Sequence, residues 1–231
     1  MKEKDWDSSL GEETKQIIGD IYQGLPVDEP NFKFFHVSPK QFTGFTMHSR
    51  NIIYFQRDTL NKFSVYENLY SKPQLFFLIQ GEDENVLVNY LQENKKLIIN
   101  SIKDGERKEK IRRIKKSPSK STILSERLGI TLIYPSIYKN VKDTTNFVWL
   151  EKQIIKGTLN IISYRLPGNA LSNPPKLNEV VRIRDSIGEL YVPGRLTGTY
   201  MITEKDYKPY FYKLKLEEKV IYETKGVWEV K

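Results

Sequence analysis

Apolar residues recur at helical spacing near the start of the chain. Between residues 10 and 21 they fall on one face of a helix, with polar residues on the other. Ser9 and Glu12 stand at the start of this pattern with the spacing of a capping box, in which a serine oxygen accepts a backbone N–H and the glutamate reaches back. Gly24 and Pro26 interrupt the pattern, so we expect them to end the helix.

The rest of the first half predicts strands followed by a long helix. Three short apolar runs predict strands, at residues 32–37, 51–56 and 74–80. Helical spacing of apolar residues over 86–114 predicts a long helix, which we expect to break or bend at Gly105. A short helix is predicted over 121–128, and Gly129 is expected to take the left-handed conformation that ends many helices.

The second half has a different pattern, with more strands. Strands are predicted at residues 130–134, 147–155, 158–164, 199–203, 210–216 and 220–230. The second and third of these form a hairpin that turns near Lys156 and Gly157, and Glu217 with Glu218 marks a further turn. A helix is predicted over 177–191. This order predicts an α+β fold, with antiparallel or mixed sheets covered by helices.

These elements suggest three segments along the chain. We expect an N-terminal α/β half over 1–116 that includes the long helix, a linker with the short helix over 117–129, and a C-terminal α+β half over 130–231. The boundary falls where a run of Ser, Pro and Lys separates two apolar patterns.

The positive charge of the chain is concentrated in one segment. The chain of 231 residues has 37 basic and 29 acidic side chains, a net charge of +8. Residues 103–127 hold ten basic and four acidic side chains, which is six of those eight net charges. The cations that we expect to contact an anionic surface are Arg107, Lys108, Arg112, Arg113, Lys115 and Lys116.

Three interpretations of this basic segment remain open. Glu106 and Glu109 have the spacing for ion pairs with Lys110 and Arg113, as on a solvated helix face. Contact with an anionic membrane surface or a polyanionic envelope polymer is the second interpretation. Nucleic-acid binding is the third, but residues 103–127 hold no aromatic residue on which bases stack, and the chain has no known nucleic-acid-binding signature.

Residue types that carry chemistry are scarce. The chain has no cysteine, which excludes disulfides, thiolate metal sites and a cysteine nucleophile. His36 and His48, its two histidines, lack metal-ligand spacing, so we expect structural or surface roles for them. Phosphate-binding glycine loops and the nucleophile elbow of hydrolases are absent from the sequence. We therefore predict no catalytic residue, no metal site and no cofactor.

Three charged residues and two tryptophans in the second half need a structural explanation. Arg184 and Asp185 are adjacent on a predicted helix and point apart, so we expect an ion pair that anchors the helix rather than a catalytic pair. Glu204 follows a predicted strand without an obvious acidic partner. Trp149 and Trp228 lie in predicted strands and are expected to pack against a sheet.

An ordered set of short motifs along the chain resembles one family. The motifs are Gly24-Leu25-Pro26 with Glu29-Pro30 and Phe32, Arg50-Asn51-Ile52-Ile53, Pro73-Gln74, Asp143 with Asn146-Phe147-Val148-Trp149-Leu150, Arg184-Asp185-Ser186, Tyr191-Val192-Pro193-Gly194, Tyr200-Met201 with Thr203-Glu204, and Gly226 with Trp228. Together they resemble the envelope lipoproteins of Bacteroidetes-type bacteria that form domain-of-unknown-function family 4837. The second half is also loosely similar to the layered α+β fold of the PsbP-like and Mog1-like proteins, which implies no function.

The resemblance implies a location and an anchor. Members face the periplasm or the outer membrane and are held by a lipidated cysteine, with further strands and a last helix beyond Trp228. We therefore expect the sequence to be the mature portion of a chain trimmed at both ends, with a truncated C-terminal half and a precursor anchored in the cell envelope; a cytoplasmic location is the alternative.

Three functions follow, in order of preference. The first is a non-catalytic envelope lipoprotein that binds an envelope protein or polymer. The second is an enzyme whose site no motif reveals, and the third is a nucleic-acid binder that uses residues 103–127. A small-molecule ligand is not specified by any motif.

Overall fold

The computed structural model describes residues 1–22, 24–25, 27, 29–216 and 218–231, and they form an α+β fold, as predicted. Pro26 and Glu217, expected at a helix end and a turn, lie outside the described residues. The chain divides into two compact units: Met1–Tyr22 with Glu29–Arg113, and Gln23–Asp28 with Ile114–Lys231. Within the described residues, no helix combines the length and the apolar character needed to cross a membrane.

Both units contain helices and strands. The first unit contains α1 (Glu3–Trp6), α2 (Ser9–Ile18), a 3₁₀ helix (Gly44–His48), β1 (Asn51–Arg57), β2 (Lys62–Glu67), β3 (Leu75–Gly81) and α3 (Glu84–Ile114), whose last residue reaches the boundary. The second contains α4 (Ile123–Leu128), β4 (Lys139–Thr144), β5 (Phe147–Ile154), β6 (Gly157–Tyr164), α5 (Leu177–Tyr191), β7 (Met201–Thr203), β8 (Tyr210–Leu216), β9 (Lys219–Lys225) and β10 (Trp228–Val230).

A three-stranded sheet and the long helix build the core of the first unit. β3 lies between β1 and β2, parallel to β1 and antiparallel to β2. Phe77 and Ile79 of β3 pack in one cluster with Leu87, Leu91 and Ile98, which recur at helical spacing along α3. All five side chains are fully buried, and each burial of this kind stabilises the fold by about 1.5–3 kcal/mol.

The predicted capping box of α2 is wrong. Ser9 is the first residue of the helix, and its hydroxyl donates a hydrogen bond to the carboxylate of Glu84, as does the backbone N–H of Leu10 at 3.2 Å. Glu12 instead pairs with Lys15 at 2.6 Å. A carboxylate at a helix N-terminus is favourable whichever residue supplies it, so Glu84 takes the role that local spacing assigned to Glu12.

α2 and α3 both differ from the prediction. α2 ends at Ile18, before Gly24 is reached, and the backbone N–H of Gly19 bonds to Lys15 O at 2.8 Å. α3 continues without a break through Gly105. A Cβ built at Gly105 would lie 3.5 Å from Leu75 Cδ1, so the glycine faces the sheet closely while keeping helical geometry.

Three small sheets build the second unit. One has the order β4-β5-β6, and β7 pairs with β10 and β8 with β9. All pairs are antiparallel, and β5 and β6 form the predicted hairpin. Leu124 and Leu128 of α4 pack on Val148 and Leu150 of β5. Gly129 ends α4 with a φ of 65°, in the predicted left-handed conformation.

Several strand predictions fail where apolar residues pack on side chains and not in a sheet. Residues 32–37 form no strand; Phe32 and Phe34 pack against the core of the first unit, and Phe34 lies edge-on to Trp6. Residues 130–134 form none either, although Tyr134 is buried. The predicted strand over 220–230 is divided into β9 and β10. β2 and β4 have mostly exposed or half-buried residues, and no apolar run predicted them.

Candidate functional site

The sheet of the first unit has a second face that remains partly open to solvent. Side chains alternate between the two faces of a strand, so the neighbours of Phe77 and Ile79 point away from the core. The register places the following residues on this second face: Phe76 and Leu78 of β3, Ile52 and Tyr54 of β1, and Ser64 and Tyr66 of β2. Leu78 is only half-buried although it lies on the central strand, and Tyr66 is 41% exposed.

Five aromatic rings meet on this second face. Phe76 is buried at their centre, with ring centroids 5.7 Å from Tyr54, 5.9 Å from Tyr70 and 6.5 Å from Tyr66. Phe42 lies 5.4 Å from Tyr54 and 6.0 Å from Tyr70. We call these five residues the aromatic face. Aromatic rings at such distances stabilise one another. The three tyrosines are at least partly exposed.

Gln74 fixes the loops that border the aromatic face. It is buried, and its amide nitrogen donates to Met47 O at 2.7 Å and to Ser49 O at 2.8 Å. Its amide oxygen accepts from the backbone N–H of Tyr70 at 2.9 Å. One side chain thus ties both loops to the start of β3, which holds the Tyr70 ring in place.

A polar group lies at the other end of the same face. The side-chain amides of Gln56 and Gln80 donate to Asp58 Oδ2 at 2.9 and 3.2 Å, and the backbone N–H of Leu60 donates to Asp58 Oδ1 at 3.0 Å. The Leu60 hydrogen bond and the two amides lower the pKa of the Asp58 carboxyl. The second face therefore combines an aromatic end with an end made of amides and a carboxylate.

The basic segment carries its own neutralising carboxylates. Asp104 pairs with Arg107 at 2.6 Å and with Lys108 at 2.7 Å. Glu109 pairs with Arg113 at 2.8 Å, as predicted, and also with Arg112 at 2.6 Å. The hydrogen bonds from the two arginines lower the pKa of Glu109 to about 2.

The remaining predicted cations and Glu106 behave differently. Glu106 does not pair with Lys110; it accepts hydrogen bonds from Arg50 at 2.6 and 3.0 Å and from Asn51 at 2.9 Å. Both partners stand at the start of β1, so Glu106 fastens α3 to the sheet. Lys115 and Lys116 belong to the second unit, are exposed, and form no ion pair with any residue that the structure describes.

Both histidines contact the protein itself. The His36 ring stacks on Trp6 with centroids 4.8 Å apart, and its Nε2 lies 3.1 Å from Met1 O. His48 Nδ1 lies 3.0 Å from Tyr70 O. In the part of the chain that is described, no group of three or more metal-ligating side chains comes together.

α5 is anchored through Asp185, although not by the expected ion pair. Asp185 Oδ1 accepts from the backbone N–H of Thr203 at 2.8 Å and from its hydroxyl at 2.7 Å. Arg184 instead stacks on Trp228, with its guanidinium carbon 3.8 Å from the ring centroid. Asp185 thus reaches β7 and Arg184 reaches β10, at the paired positions Thr203 and Trp228.

Glu204 has an acidic partner that sequence reasoning missed. Glu229 lies on β10 opposite Ile202, two residues before Glu204, so the two carboxyl groups share one face of the β7–β10 pair. Burial and the neighbouring Glu204 carboxylate raise the pKa of Glu229. The alternation of polar positions around Trp228 places Glu229 on one face of a strand. Identifying it as the partner of Glu204 also required knowing which strand pairs with β10.

A shallow cleft lies between α2 and α3. It has a volume of about 440 Å³ and is lined mainly by polar side chains, among them Glu13, Gln16, Gln92, Lys95 and Lys96. Gln92 donates to Glu13 at 3.1 Å across it. The walls are long, exposed side chains, which makes the cleft less fixed than the aromatic face.

Comparison with known families divides the chain close to the boundary of the two units. The sequence model of the family described as Domain of unknown function (DUF4837) matches residues 117–231. The match covers the last 115 of the 231 residues. A second family, Domain of unknown function (DUF8532), matches residues 1–115. No curated protein and no solved structure is found to match the chain.

The DUF4837 match and the sequence motifs differ in extent. The predicted resemblance ran over the whole chain, whereas the match begins after α3. The aromatic face therefore lies in the DUF8532 part, and Arg184 with Trp228 in the DUF4837 part. Sequence reasoning did not find the aromatic face, because Phe42 and Tyr70 come from loops and β2 was not predicted.

Proposed function

We propose that this chain is a non-catalytic binding module of the bacterial cell envelope, and that its aromatic face binds a neutral polysaccharide chain. The observation that carries the proposal is the open second face of the sheet, where half-exposed tyrosines adjoin an amide–carboxylate group. Binding sites commonly combine apolar and aromatic walls with a few placed polar groups, and exposed apolar patches mark surfaces of contact.

The chemistry of the two ends fits a sugar polymer. A sugar ring has an apolar C–H face, which stacks on an aromatic ring, and a rim of hydroxyl groups that both donate and accept hydrogen bonds. The amides of Gln56 and Gln80 each keep a carbonyl oxygen and a second N–H beyond their bonds to Asp58. A nucleic acid fits less well, because its phosphates require Lys and Arg where this face has a carboxylate.

The envelope location is the second part of the proposal. It is supported by the motifs that resemble envelope lipoproteins and by the match of residues 117–231 to DUF4837. Labelling the full-length precursor with palmitate in its native bacterium, followed by cell fractionation, tests it. We expect label in the envelope fraction; an unlabelled protein in the cytosol would overturn the location without affecting the binding site.

Calorimetric titration tests the binding site directly. Soluble oligomers of glucose, mannose and N-acetylglucosamine serve as probes, and we expect at least one series to bind. Tyr54→Ala and Tyr66→Ala should each weaken that binding by up to about tenfold, since one aromatic contact contributes about 0.5–1.5 kcal/mol. Phe35→Ala is the matched control, because Phe35 is 87% exposed and lies outside the aromatic face. Lack of binding by all three series would refute the proposal, as would an equal loss in the control.

A second candidate function uses the basic end of α3. Arg107, Lys108, Arg112 and Arg113 keep more than half of their side-chain surface exposed while they pair with Asp104 and Glu109. Near an anionic bilayer each basic residue contributes about 1 kcal/mol, so we propose that this end contacts an anionic membrane surface.

Vesicle co-sedimentation separates this candidate from the first. Vesicles of phosphatidylglycerol should bind the protein more tightly than vesicles of phosphatidylcholine, and R112Q with R113Q should reduce the difference. The control is K33Q with K40Q, two exposed lysines of the same unit. Equal binding by the two double variants would reject a specific role for the end of α3.

A further inference from the structure

Arg184 is a half-buried cation without an ionic partner. Its guanidinium carbon lies 3.8 Å from the centroid of the Trp228 ring, and it forms no hydrogen bond or ion pair with any other residue that the structure describes. Burial lowers the pKa of Arg184 to about 10, against the raising effect of Asp185 and Tyr164. Charged groups removed from water are normally paired with a group of opposite charge, and Arg184 is an exception.

The nearest carboxylate does not supply the missing charge. Asp185 is adjacent in sequence, but its Oδ1 accepts two hydrogen bonds from Thr203. It acts on Arg184 only through space and raises the pKa of Arg184 against the effect of burial. The Asp185 carboxylate is therefore next to Arg184 in the chain, but its hydrogen bonds come from Thr203.

Two packing contacts hold the arginine in place. Gly188, one turn further along α5, lies so close to β7 that a Cβ there would stand 1.9 Å from Met201 O. This approach brings α5 against the β7–β10 pair and sets the Trp228 ring beneath Arg184. A guanidinium over the face of an aromatic ring can still donate its N–H groups to another partner.

Tyr164 supplies a hydroxyl near the same cation. It is half-buried on β6, and its phenol forms no hydrogen bond with the described residues. Burial raises the pKa of Tyr164, and the Arg184 charge acts in the opposite direction, so the two groups are close enough to interact. A phenol in its neutral form donates one hydrogen bond.

We propose that Arg184, with Trp228 beneath it and Tyr164 beside it, is a binding site for an oxyanion, namely a carboxylate or a phosphate group. The planar N–H fork of arginine matches the two oxygens of such a group, and a partly buried site strengthens that bidentate contact. The site is in the second unit, so it does not depend on the polysaccharide proposal for the first.

Nuclear magnetic resonance of the whole chain tests the site. The probes are inorganic phosphate, acetate and, at the same ionic strength, chloride, while the indole N–H of Trp228 and the Nε–H of Arg184 are observed. We expect saturable shifts with phosphate or acetate and none with chloride. R184Q should abolish them, and R184K should weaken binding at least about tenfold, because an ammonium offers no fork. Y164F should weaken it less.

The controls separate loss of the site from loss of the fold. R182Q removes an exposed arginine of the same helix and should leave the titration unchanged. If R184Q unfolds the unit, W228F provides a second test. It keeps a ring beneath the cation, so it should retain anion-dependent shifts of the Arg184 Nε–H. Phosphatidylglycerol vesicles and a peptide with a free terminal carboxylate then distinguish a lipid headgroup from a protein ligand. Shifts that are absent with all anions, or equal with chloride, would overturn the proposal.

Discussion

The two units stabilise themselves in different ways. In the first, one long helix lies against one sheet, and the buried cluster is a continuous stripe of large apolar side chains. In the second, which has three small sheets, a smaller cluster joins α4 to the β4–β5–β6 sheet, and polar contacts make other connections. Asp185 holds β7, Arg165 donates to the carbonyl of Leu128, and Arg127 pairs with Asp143 at 2.9 Å.

This difference indicates where each unit tolerates change. A continuous apolar core loses stability when its volume changes, because the surrounding atoms cannot fully collapse. A unit assembled from small sheets and polar links loses stability when a buried donor is left without its acceptor. The binding proposals follow the same division, since aromatic rings dominate the first candidate site and a single cation the second.

Truncating one buried leucine in each unit tests the comparison most strongly. Leu91 is 0% exposed in the first core and Leu150 is 1% exposed in the second. We expect Leu91→Ala to cost about 4 kcal/mol and Leu150→Ala about 2–3 kcal/mol, because the smaller core relaxes more easily around the cavity. Denaturant unfolding followed by amide exchange measures both. Equal costs would show that the two cores are alike in packing.

The polar link of α5 gives the next largest effect. Asp185→Ala leaves the buried N–H and hydroxyl of Thr203 unpaired, at an expected cost of about 1–3 kcal/mol. Asp185→Asn keeps one acceptor oxygen and should cost less. Ser186→Ala is the neighbouring control, because that hydroxyl is exposed and bonds only to Arg182 O within the helix. If D185A and D185N lower the free energy of unfolding equally, the hydrogen bonds of Asp185 are not what anchors the helix.

A smaller effect is expected where a polar link joins the elements of the first unit. Glu106→Gln removes the charge that pairs with Arg50, and since both side chains are more than one-third exposed the cost should be about 0.5 kcal/mol. Lys110→Gln, at the position that spacing suggested as the partner, should change nothing. Thermal unfolding of the two variants side by side measures this. A larger loss of stability from K110Q than from E106Q would indicate that Glu106 pairs with Lys110 along the helix.

The smallest effect is a pH dependence at the end of α3. The pKa of Glu109 is lowered to about 2 in the folded chain, so its ion pairs contribute fully above its ordinary pKa. That contribution is lost as the pH falls through the folded value. A carbon-detected titration of the Glu109 carboxyl should show this low midpoint. A midpoint near the ordinary value for glutamate would mean that Arg112 and Arg113 are not held against it.

The elements with long, regular patterns were predictable from the sequence. α3, α5, the β5–β6 hairpin and the left-handed Gly129 follow from spacing or from one residue's conformational freedom. Residues 32–37 failed because an apolar run does not reveal whether its partner is a strand or a ring such as Trp6. The predicted partner of Glu106 was wrong because spacing along a helix gives no information about Arg50, which lies outside that helix.

The candidate sites were harder to predict than the elements. Arg184 and Trp228 were both identified in the sequence as positions to explain, yet their contact depends on β7 and β10 pairing under α5. The aromatic face needs Phe42 and Tyr70, which lie in loops without a periodic pattern. A site formed by residues far apart in sequence becomes visible only once the strand register is known.

The capping of α2 by Glu84 has a consequence for how the chain folds during synthesis. The carboxylate that completes the start of α2 lies 75 residues after Ser9. A ribosome therefore releases α2 well before its capping group exists, and a helix of this length is marginal by itself in water. We infer that α2 becomes stable only when the beginning of α3 has emerged, so the first unit acquires α2 late, although α2 is made before the sheet and α3.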